Sequence, residues 1–222
     1  MSDWPAVEAG TRTYGGLSAQ ERRARRRAML LDAALDVCGT EGWAATTMTA
    51  VCARARLTER YFYESFSDRD ELLVAVFDRI AEEAAEVVLA ATERAPRDAR
   101  ERSRAAIAAF VELMTDDPRK GRVAFVEAMG SEALMQRRFD TIRTFAELLG
   151  EQAREFYGTG PEAARLLEVT SFLLVGGLAE TLIAWLRGDV ERGRDELVED
   201  VTDLFAATGE AAVAMAAARA AG

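Results

Sequence analysis

Residues 46–72 read TTMTAVCARARLTERYFYESFSDRDEL, and this stretch predicts two short helices joined by a tight turn. Thr47 can cap a helix from Met48 to Ala55, and Thr58 can cap a second helix that ends near Phe66. Because the turn is short, the two helices would pack at a steep angle. The polar side chains left on the outer side are Thr49, Arg60, Tyr61, Tyr63, Ser65 and, just past the second helix, Arg69. Such side chains are common donors to phosphate oxygens and base edges.

A third helix is predicted immediately upstream. Residues 28–42 read AMLLDAALDVCGTEG, with apolar side chains at helical spacing and Gly42 as a stop. The motifs LLDAAL at 30–35, EGW at 41–43, ATT at 45–47 and LTERYFYESF at 57–66 together resemble the DNA-binding head of TetR-family transcriptional repressors. The resemblance implies a three-helix head in which the second of the two short helices enters the DNA major groove.

The resemblance also implies roles for individual positions. Thr47 and Thr49 lie where the second helix of the family meets DNA, and Arg60 and Tyr61 lie where the recognition helix enters the groove. The positions of Tyr63 and Arg69 are ones that contact phosphate in the family. The candidate DNA-binding residues of this region are therefore Thr47, Thr49, Thr58, Arg60, Tyr61, Tyr63, Ser65 and Arg69.

The head departs from the family pattern at three positions. Arg56 replaces the usual turn glycine, so either this residue takes a positive φ or the turn has another shape. Glu59 replaces an early lysine of the recognition helix, and we expect it to point toward the free amides of its own helix. Ser65 replaces a histidine. These changes leave the operator sequence unpredicted.

An arginine-rich segment precedes the first predicted helix. Residues 21–27 read ERRARRR, and an arm of this kind, represented by Arg25 and Arg26, can reach the minor groove or neighbouring phosphates. The alternative is the solvated start of a helix. Residues 1–20 lack periodicity and are predicted to be a disordered arm.

The charge distribution is compatible with a DNA-binding head. The 222 residues carry 28 Lys and Arg against 38 Asp and Glu, a net charge of −10. Residues 1–71 hold 10 basic and 11 acidic groups, so most of the excess acid lies beyond the head. An acidic body would repel nonspecific duplex while a local basic surface meets DNA in a salt-dependent way.

The rest of the chain predicts an all-α fold with two domains. Only 4 prolines and no period-2 strand runs occur. The predicted domains are a helix-turn-helix DNA-binding domain at 21–70, with the motif at 47–66, and a helical effector-binding and dimerisation domain at 71–222. The helices predicted beyond the head span 70–94, 98–114, 122–129, 131–157, 161–187 and roughly 190–218.

Several classes of protein are disfavoured by the residue content. The chain has no histidine, no P-loop, no dinucleotide fingerprint and no nucleophile motif, so we expect neither an enzyme, a metal site nor a cofactor. Cys38 and Cys52 fall on apolar helix faces and are expected to be reduced core residues, with a disulfide as the alternative. No signal peptide is evident, and residues 166–186 contain Glu168 and Glu180, which favours a packed helix and a cytoplasmic protein over a membrane span.

The last two helices are the predicted dimer contact. They are long, amphipathic and joined by a short break, so two copies of the hairpin could form a four-helix interface. Two glycines within a helix lower its propensity and favour close approach of another backbone. The predicted interface residues are Gly176, Gly177, Leu182, Val201, Leu204 and Phe205. The alternative is packing of this hairpin against the connecting helix of the same chain.

An apolar effector pocket is predicted in the body. Flexible methionines and aromatic side chains can surround varied hydrophobic molecules, although the same residues also build ordinary cores. The candidate pocket residues are Phe110, Met114, Phe125, Met129, Phe139, Phe145, Phe172 and Trp185.

Together these patterns predict a homodimeric transcriptional regulator, most consistent with a repressor that a small, largely apolar effector releases from a palindromic operator. The alternative is a helical small-molecule or partner-binding protein whose head does not bind DNA, favoured by Arg56, Glu59 and the acidic total. Activation in place of repression also stays open, because the direction of control depends on where the operator lies.

Overall fold

The computed structural model describes residues 18–157 and 160–221, and these residues form nine α-helices and no strand. The all-α prediction is therefore confirmed. The helices are α1 (Ala19–Glu41), α2 (Met48–Ala55), α3 (Glu59–Tyr63), α4 (Arg69–Arg94), α5 (Ala99–Asp116), α6 (Pro118–Gly121), α7 (Glu132–Tyr157), α8 (Pro161–Arg187) and α9 (Arg194–Ala221). Turns of 3-10 helix lie at Trp43–Ala45 and Glu127–Gly130, and a π-helical turn lies at Arg122–Val126.

Helix α1 begins earlier than the apolar pattern predicted. Ser18 caps it with a reciprocal capping box, in which the Ser18 hydroxyl accepts from the Glu21 amide and the Glu21 carboxylate accepts from the Ser18 amide. The arginine run at 21–27 consequently lies inside α1 and not in an arm ahead of it. Residues 1–20 were predicted to be disordered. This prediction is wrong for residues 18–20, which form the N-cap and the start of α1, and residues 1–17 lie outside the described residues.

The helix-turn-helix forms as the caps predicted, with two differences. The Thr47 hydroxyl accepts from the Ala50 amide at 3.1 Å, whereas Thr58 is the N-cap of α3 without a side-chain bond. Helix α3 ends at Tyr63, and tighter turns carry the chain on to Phe66. Arg56 sits at the C-cap of α2 in the left-handed region, with φ 54° and ψ 40°. The turn thus keeps the shape that a glycine would favour, with a residue that is less suited to it.

The body consists of α4 to α9, and α8 and α9 form a hairpin within it. The predicted helix at 122–129 is replaced by the π-helical turn and a 3-10 turn. The break before α9 is also longer than predicted, because α9 begins only at Arg194. The sequence predicted that Gly158 and Thr159 end α7, and both lie outside the described residues.

The head docks on the body where α1 passes α6. A Cβ added at Gly39 would lie 2.4 Å from the Arg119 Cβ, so only glycine permits this approach. Asp36 on α1 accepts from Arg119 at 3.1 Å and also from Arg54 of α2. The Glu127 carboxylate accepts from the Trp43 amide at 2.7 Å, just ahead of α2. Hydrogen bonds therefore join the body to α1 and to the turn ahead of α2.

Both cysteines are free and buried in the head. Burial raises the pKa of the Cys38 thiol to about 11, and burial also raises the pKa of Cys52. Both side chains are therefore neutral near pH 7, as expected of small core residues.

Among the described residues, α8 and α9 are long and apolar enough to cross a membrane when judged by length and composition alone. Only 22% and 28% of their most apolar windows are buried within the single chain. Each helix therefore presents an apolar face that the rest of this chain does not cover.

The left-handed turn between α2 and α3 generates a prediction about stability. Replacing Arg56 with glycine should raise the free energy of unfolding by up to about 1 kcal/mol, because glycine adopts a positive φ without strain. The matched substitution Ala53→Gly, at an exposed position inside α2, should lower it by about 1 kcal/mol. Urea unfolding of both variants measures the two effects. A loss of stability in Arg56→Gly as large as that in Ala53→Gly would contradict the assigned strain.

Candidate nucleic-acid interface and apolar cavity

The outer side of α3 presents long polar side chains to solvent. The side chain of Arg60 is 84% exposed, and Tyr63 is 60% exposed. Thr47, Thr49 and Thr58 are also exposed, at the start of α2 and at the N-cap of α3. The structure therefore brings five of the predicted DNA-binding residues onto the accessible surface of the two short helices.

Two arginines from the predicted arm are instead engaged with the end of α3. The Arg26 guanidinium lies 4.4 Å from the centroid of the Tyr61 ring and donates to Glu64 at 3.0 Å. Arg23 donates to the backbone carbonyl of Glu64. Arg26 is thus a side chain that holds α1 against α3, whereas Arg25 on the same helix is exposed. Of the two arginines that were predicted to form an arm, Arg26 packs against α3 and Arg25 is accessible.

Two other predicted DNA-binding side chains have different surroundings from those expected. The Ser65 hydroxyl oxygen is buried and has no hydrogen-bond partner, so it faces the head interior and not the outer surface. Arg69 stacks its guanidinium 4.0 Å from the centroid of the Trp43 ring, at the start of α4. The prediction for Ser65 is corrected for this reason, and Arg69 is a half-exposed side chain at the edge of the face.

Glu64 limits the positive charge that the face presents. Its carboxylate lies 3.0 Å from Arg26 and 3.3 Å from Arg60 Nε. The second contact is an i,i+4 pair on the surface, which is weak in water. Arg60 can therefore leave this carboxylate for a phosphate or a base edge at little cost.

A cavity of about 160 Å³ lies inside the body. Helix α4 forms one wall with Phe77, Ile80 and Ala84, and α7 forms the opposite wall with Ile142 and Phe145. Its lining is almost wholly apolar. The aromatic rings of Phe110 and Phe125 meet edge to face in the wall, with centroids 6.2 Å apart.

A second chamber of about 120 Å³ lies next to the first one, toward the C-terminal end of α7. The residues that line both chambers are Ala106, Ile107, Leu149, Gln152 and Phe205. The lining of the two chambers together runs along α7 from Arg138 to Tyr157, which corresponds to about 28 Å at about 1.5 Å per residue. Two adjacent chambers arranged along one helix suit a linear ligand that would occupy both.

The predicted pocket residues divide into two groups. Phe110, Met114, Phe125 and Phe145 line the cavity. The other four do not: Met129, Phe139 and Phe172 are 52%, 55% and 41% exposed, and the Trp185 indole N–H donates to the Arg192 carbonyl in the loop before α9. The sequence pattern did not identify the α4 residues, because an apolar helical stripe is typical of ordinary packing, and it did not identify Arg138, because a single charged residue forms no pattern. Small side chains such as Ala84 and Ala179 leave room for a cavity. The sequence cannot indicate this, because it does not show which helices face each other.

The predicted dimer residues also divide. Leu182 and Val201 are only 1% and 7% exposed, so they belong to the core of this chain and are removed from the interface. Phe205 lines the cavity, whereas Leu204 is 64% exposed. A Cβ at Gly176 or Gly177 would meet nothing within 4 Å in this chain.

The outer faces of the hairpin are apolar at helical spacing. The exposed side chains around the two glycines of α8 are Val169, Phe172 and Leu173, and those on the outer side of α9 are Leu204, Ala207, Ala211 and Met215. The alternative of glycine packing against the connecting helix is therefore excluded. Within the described part of the chain, no group of three or more His, Cys, Asp or Glu residues is placed to hold a metal ion.

Comparison with known proteins agrees with this geometry. Residues 30–76 match the family described as bacterial regulatory proteins, tetR family, a range that contains α2, α3 and most of the α1 core. This match assigns the helix-turn-helix head of the chain to the TetR family. Its members are non-enzymatic DNA-binding regulators, in agreement with the prediction from sequence.

A curated relative is the HTH-type transcriptional activator FasR of Mycolicibacterium smegmatis. It is 34% identical over 103 residues, which are 46% of this chain and 47% of the relative. The match therefore spans about half of the length of this curated TetR-family protein.

Solved structures share the fold over most of the chain. The transcriptional regulator FadR of Bacillus subtilis, in complex with stearoyl-CoA, has a TM-score of 0.67 and 16% identity, and the match covers 80% of this chain and 96% of that one. A TetR-like regulator from Rhodococcus sp. RHA1 has a TM-score of 0.62 and 23% identity, covering 86% and 97%. At these identities the likeness establishes the TetR fold.

The contrast between Arg26 and Arg25 generates a prediction. Arg26→Gln should lower the free energy of unfolding by about 1 kcal/mol, because it removes the contact with the Tyr61 ring and the ion pair with Glu64. Arg25→Gln, on the same helix and exposed, should leave it unchanged within about 0.5 kcal/mol. Urea unfolding measures both values. Equal unfolding energies for the two variants would contradict the packing role of Arg26.

Proposed function

We propose that this TetR-family protein is a dimeric, DNA-binding transcriptional regulator whose operator affinity is set by a linear, largely apolar effector. One observation carries the proposal: α4 begins beside the exposed face of α2 and α3, and the inner side of the same helix lines the cavity. A ligand in the cavity would therefore touch the element that positions the recognition helix.

The exposed side chains of α3 support DNA binding. Arg60 is the most accessible cation of the helix, and Tyr63 beside it carries an exposed phenol. A guanidinium can donate two hydrogen bonds to guanine, and a phenol can donate to phosphate. We assign base recognition to Arg60 and phosphate contact to Tyr63, with exposed Thr47 and Thr49 of α2 on the adjacent backbone.

The apolar outer faces of α8 and α9 support a homodimer. A second copy of the hairpin would cover them, and the open surface at Gly176 and Gly177 lets the two backbones approach closely. This burial accounts for the apolar faces without a membrane and is consistent with a cytoplasmic regulator. Two recognition helices related by a two-fold axis would fit half-sites about 34 Å apart on a palindromic operator.

The elongated cavity supports an effector with a long apolar chain. The two chambers lie next to each other along α7 and share part of their lining, and the walls of the first are almost wholly aliphatic and aromatic. FadR of Bacillus subtilis, which shares the fold, was solved with stearoyl-CoA. We propose a long-chain acyl compound as the class of effector.

Effector binding would lower operator affinity by moving α4. Phe77, Ile80 and Ala84 would be displaced together, because they lie on one rigid helix. A coupling free energy of about 1–3 kcal/mol would change operator affinity by roughly 5 to 150-fold. Release of a repressor is the regulatory outcome that we propose, and activation is the alternative, since the relative FasR is named an activator.

The DNA-binding proposal generates a prediction on two residues of α3. Arg60→Ala should weaken binding to the operator more than to random duplex, by about 10-fold in the ratio, because it removes a base contact. Tyr63→Phe should weaken binding to both DNAs by a similar factor, because phosphate contacts carry no sequence information. The measurement is fluorescence anisotropy at several salt concentrations, on an operator selected from a random pool.

The control for this experiment is Arg97→Ala, an exposed arginine between α4 and α5 that should leave binding unchanged. Equal losses on operator and random DNA for Arg60→Ala would contradict base recognition by this residue. If no duplex were enriched from the pool and no salt-dependent binding were seen, the alternative of a ligand-binding protein with an inactive head would be favoured.

The dimer proposal generates a separate prediction. Leu173→Glu should weaken self-association by about 100-fold or more, because it places a carboxylate without a partner in the interface. Leu173 is 66% exposed in the single chain, so the substitution should not affect its fold. Met129→Glu, at a position 52% exposed outside the hairpin, is the matched control. Sedimentation over a dilution series measures the association, and a monomeric wild-type protein would contradict the proposal.

A further inference from the structure

One charged side chain stands in the apolar wall of the cavity. Arg138 of α7 is 7% exposed, and among the described residues that line the first chamber it alone carries a charge. Its Nε is buried and has no hydrogen-bond acceptor. A buried guanidinium with an unfilled donor is costly unless another group supplies the acceptor.

The partner of Arg138 compensates its charge only in part. Arg138 Nη2 donates to the carboxylate of Glu180 on α8, and the side chain of Glu180 is 67% exposed. The acid therefore approaches from the solvent side of the helix pair, while the arginine lies inside. The exposed carboxylate can exchange this contact for water at low cost, whereas the buried guanidinium has no such alternative.

From this geometry we infer that Arg138 binds the carboxylate of a free fatty acid whose hydrocarbon chain lies along α7. The inference rests on the proposal that the cavity is the effector site, and it names the chemical group at one end of the ligand. A carboxylate would give the guanidinium a second acceptor and neutralise its charge. The hydroxyl of Thr141, one turn along α7, also belongs to the wall and can donate to the same group.

The second chamber contains the other candidate anchor. Arg102 of α5 also has a buried Nε without an acceptor, but the residue as a whole is partly exposed. Its remaining donors can reach water, so it has less need of a ligand oxygen than Arg138. The carboxylate therefore binds at Arg138 in the first chamber, and the hydrocarbon tail points toward Arg102 in the second.

The position of Glu180 gives this site a consequence for the dimer. Glu180 follows Gly176 and Gly177 at helical spacing, next to the proposed interface on α8. A ligand carboxylate would compete with Glu180 for Arg138. Ligand binding would then release an acid beside the dimer contact as well as press on α4.

The test compares three probes on the full chain by isothermal titration: palmitate, cetyl alcohol and palmitoyl-CoA, each below its aggregation concentration. Wild-type protein should bind palmitate about 10-fold or more tightly than cetyl alcohol, because only palmitate offers a charge-assisted acceptor. Arg138→Gln should abolish this preference and leave the affinity for cetyl alcohol within about 2-fold. Arg143→Gln is the matched control, since Arg143 is exposed on the same helix and pairs with Asp140 at 2.7 Å.

Glu180→Gln provides a second and independent variant. It removes the competing carboxylate, so the affinity for palmitate should rise while that for cetyl alcohol should stay constant. Thermal melting reports whether each variant is folded. If Arg138→Gln does not fold, Glu180→Gln decides the question, and an unchanged preference for palmitate in this variant would overturn the inference.

The possible outcomes distinguish a failure of the Arg138 contact from a failure of the proposed effector site. Equal affinities for palmitate and cetyl alcohol, unchanged in Arg138→Gln, would overturn the anchor and leave an apolar effector site intact. Binding of palmitoyl-CoA without binding of palmitate would also overturn the anchor, in favour of an acyl thioester. Binding of none of the three probes would overturn both the anchor and the proposed acyl effector.

Discussion

The contact between α1 and α6 is the constraint on which the relation of head to body depends. Gly39 lets the backbone of α1 lie against Arg119, and Asp36, one turn earlier, accepts from Arg119 and from Arg54 of α2. The hydrogen bonds from Arg119 also hold the pKa of Asp117, the N-cap of α6, below its usual range. The junction is thus built from a steric requirement and from shared carboxylates, so a movement of the body is passed to α1 and α2 together.

The recognition helix depends on its neighbours because it is too short to be stable alone. Helix α3 spans only Glu59–Tyr63, and isolated helices of this length are not stable in water. Phe62 is 1% exposed and anchors α3 from below, while Arg26 covers Tyr61 and pairs with Glu64. These contacts fix one side of α3 and leave Arg60 and Tyr63 exposed on the other.

The cavity and the proposed dimer face lie on opposite sides of α8, so this helix carries two separate apolar surfaces. Ala179 and Leu178 line the cavity, whereas Leu173 and Gly177 face outward. Arg138 and Glu180 connect the two sides through a single ion pair. The apolar content of α8, high enough for a membrane span, is explained by these two demands on one helix.

The sequence by itself determined the helical fold, the N-cap positions of α2 and α3, and the identity of the head, because these depend on local periodicity and on the residues at helix ends. It also indicated four aromatic and methionine residues of the cavity wall. Tertiary structure alone decided that Arg26 packs on Tyr61, that Ser65 faces inward, and that Leu182 and Val201 belong to the core. The physical reason is that a helix pattern identifies an apolar face without its partner. Whether that face covers a neighbour, a cavity or a second copy is set by contacts between residues far apart in the chain.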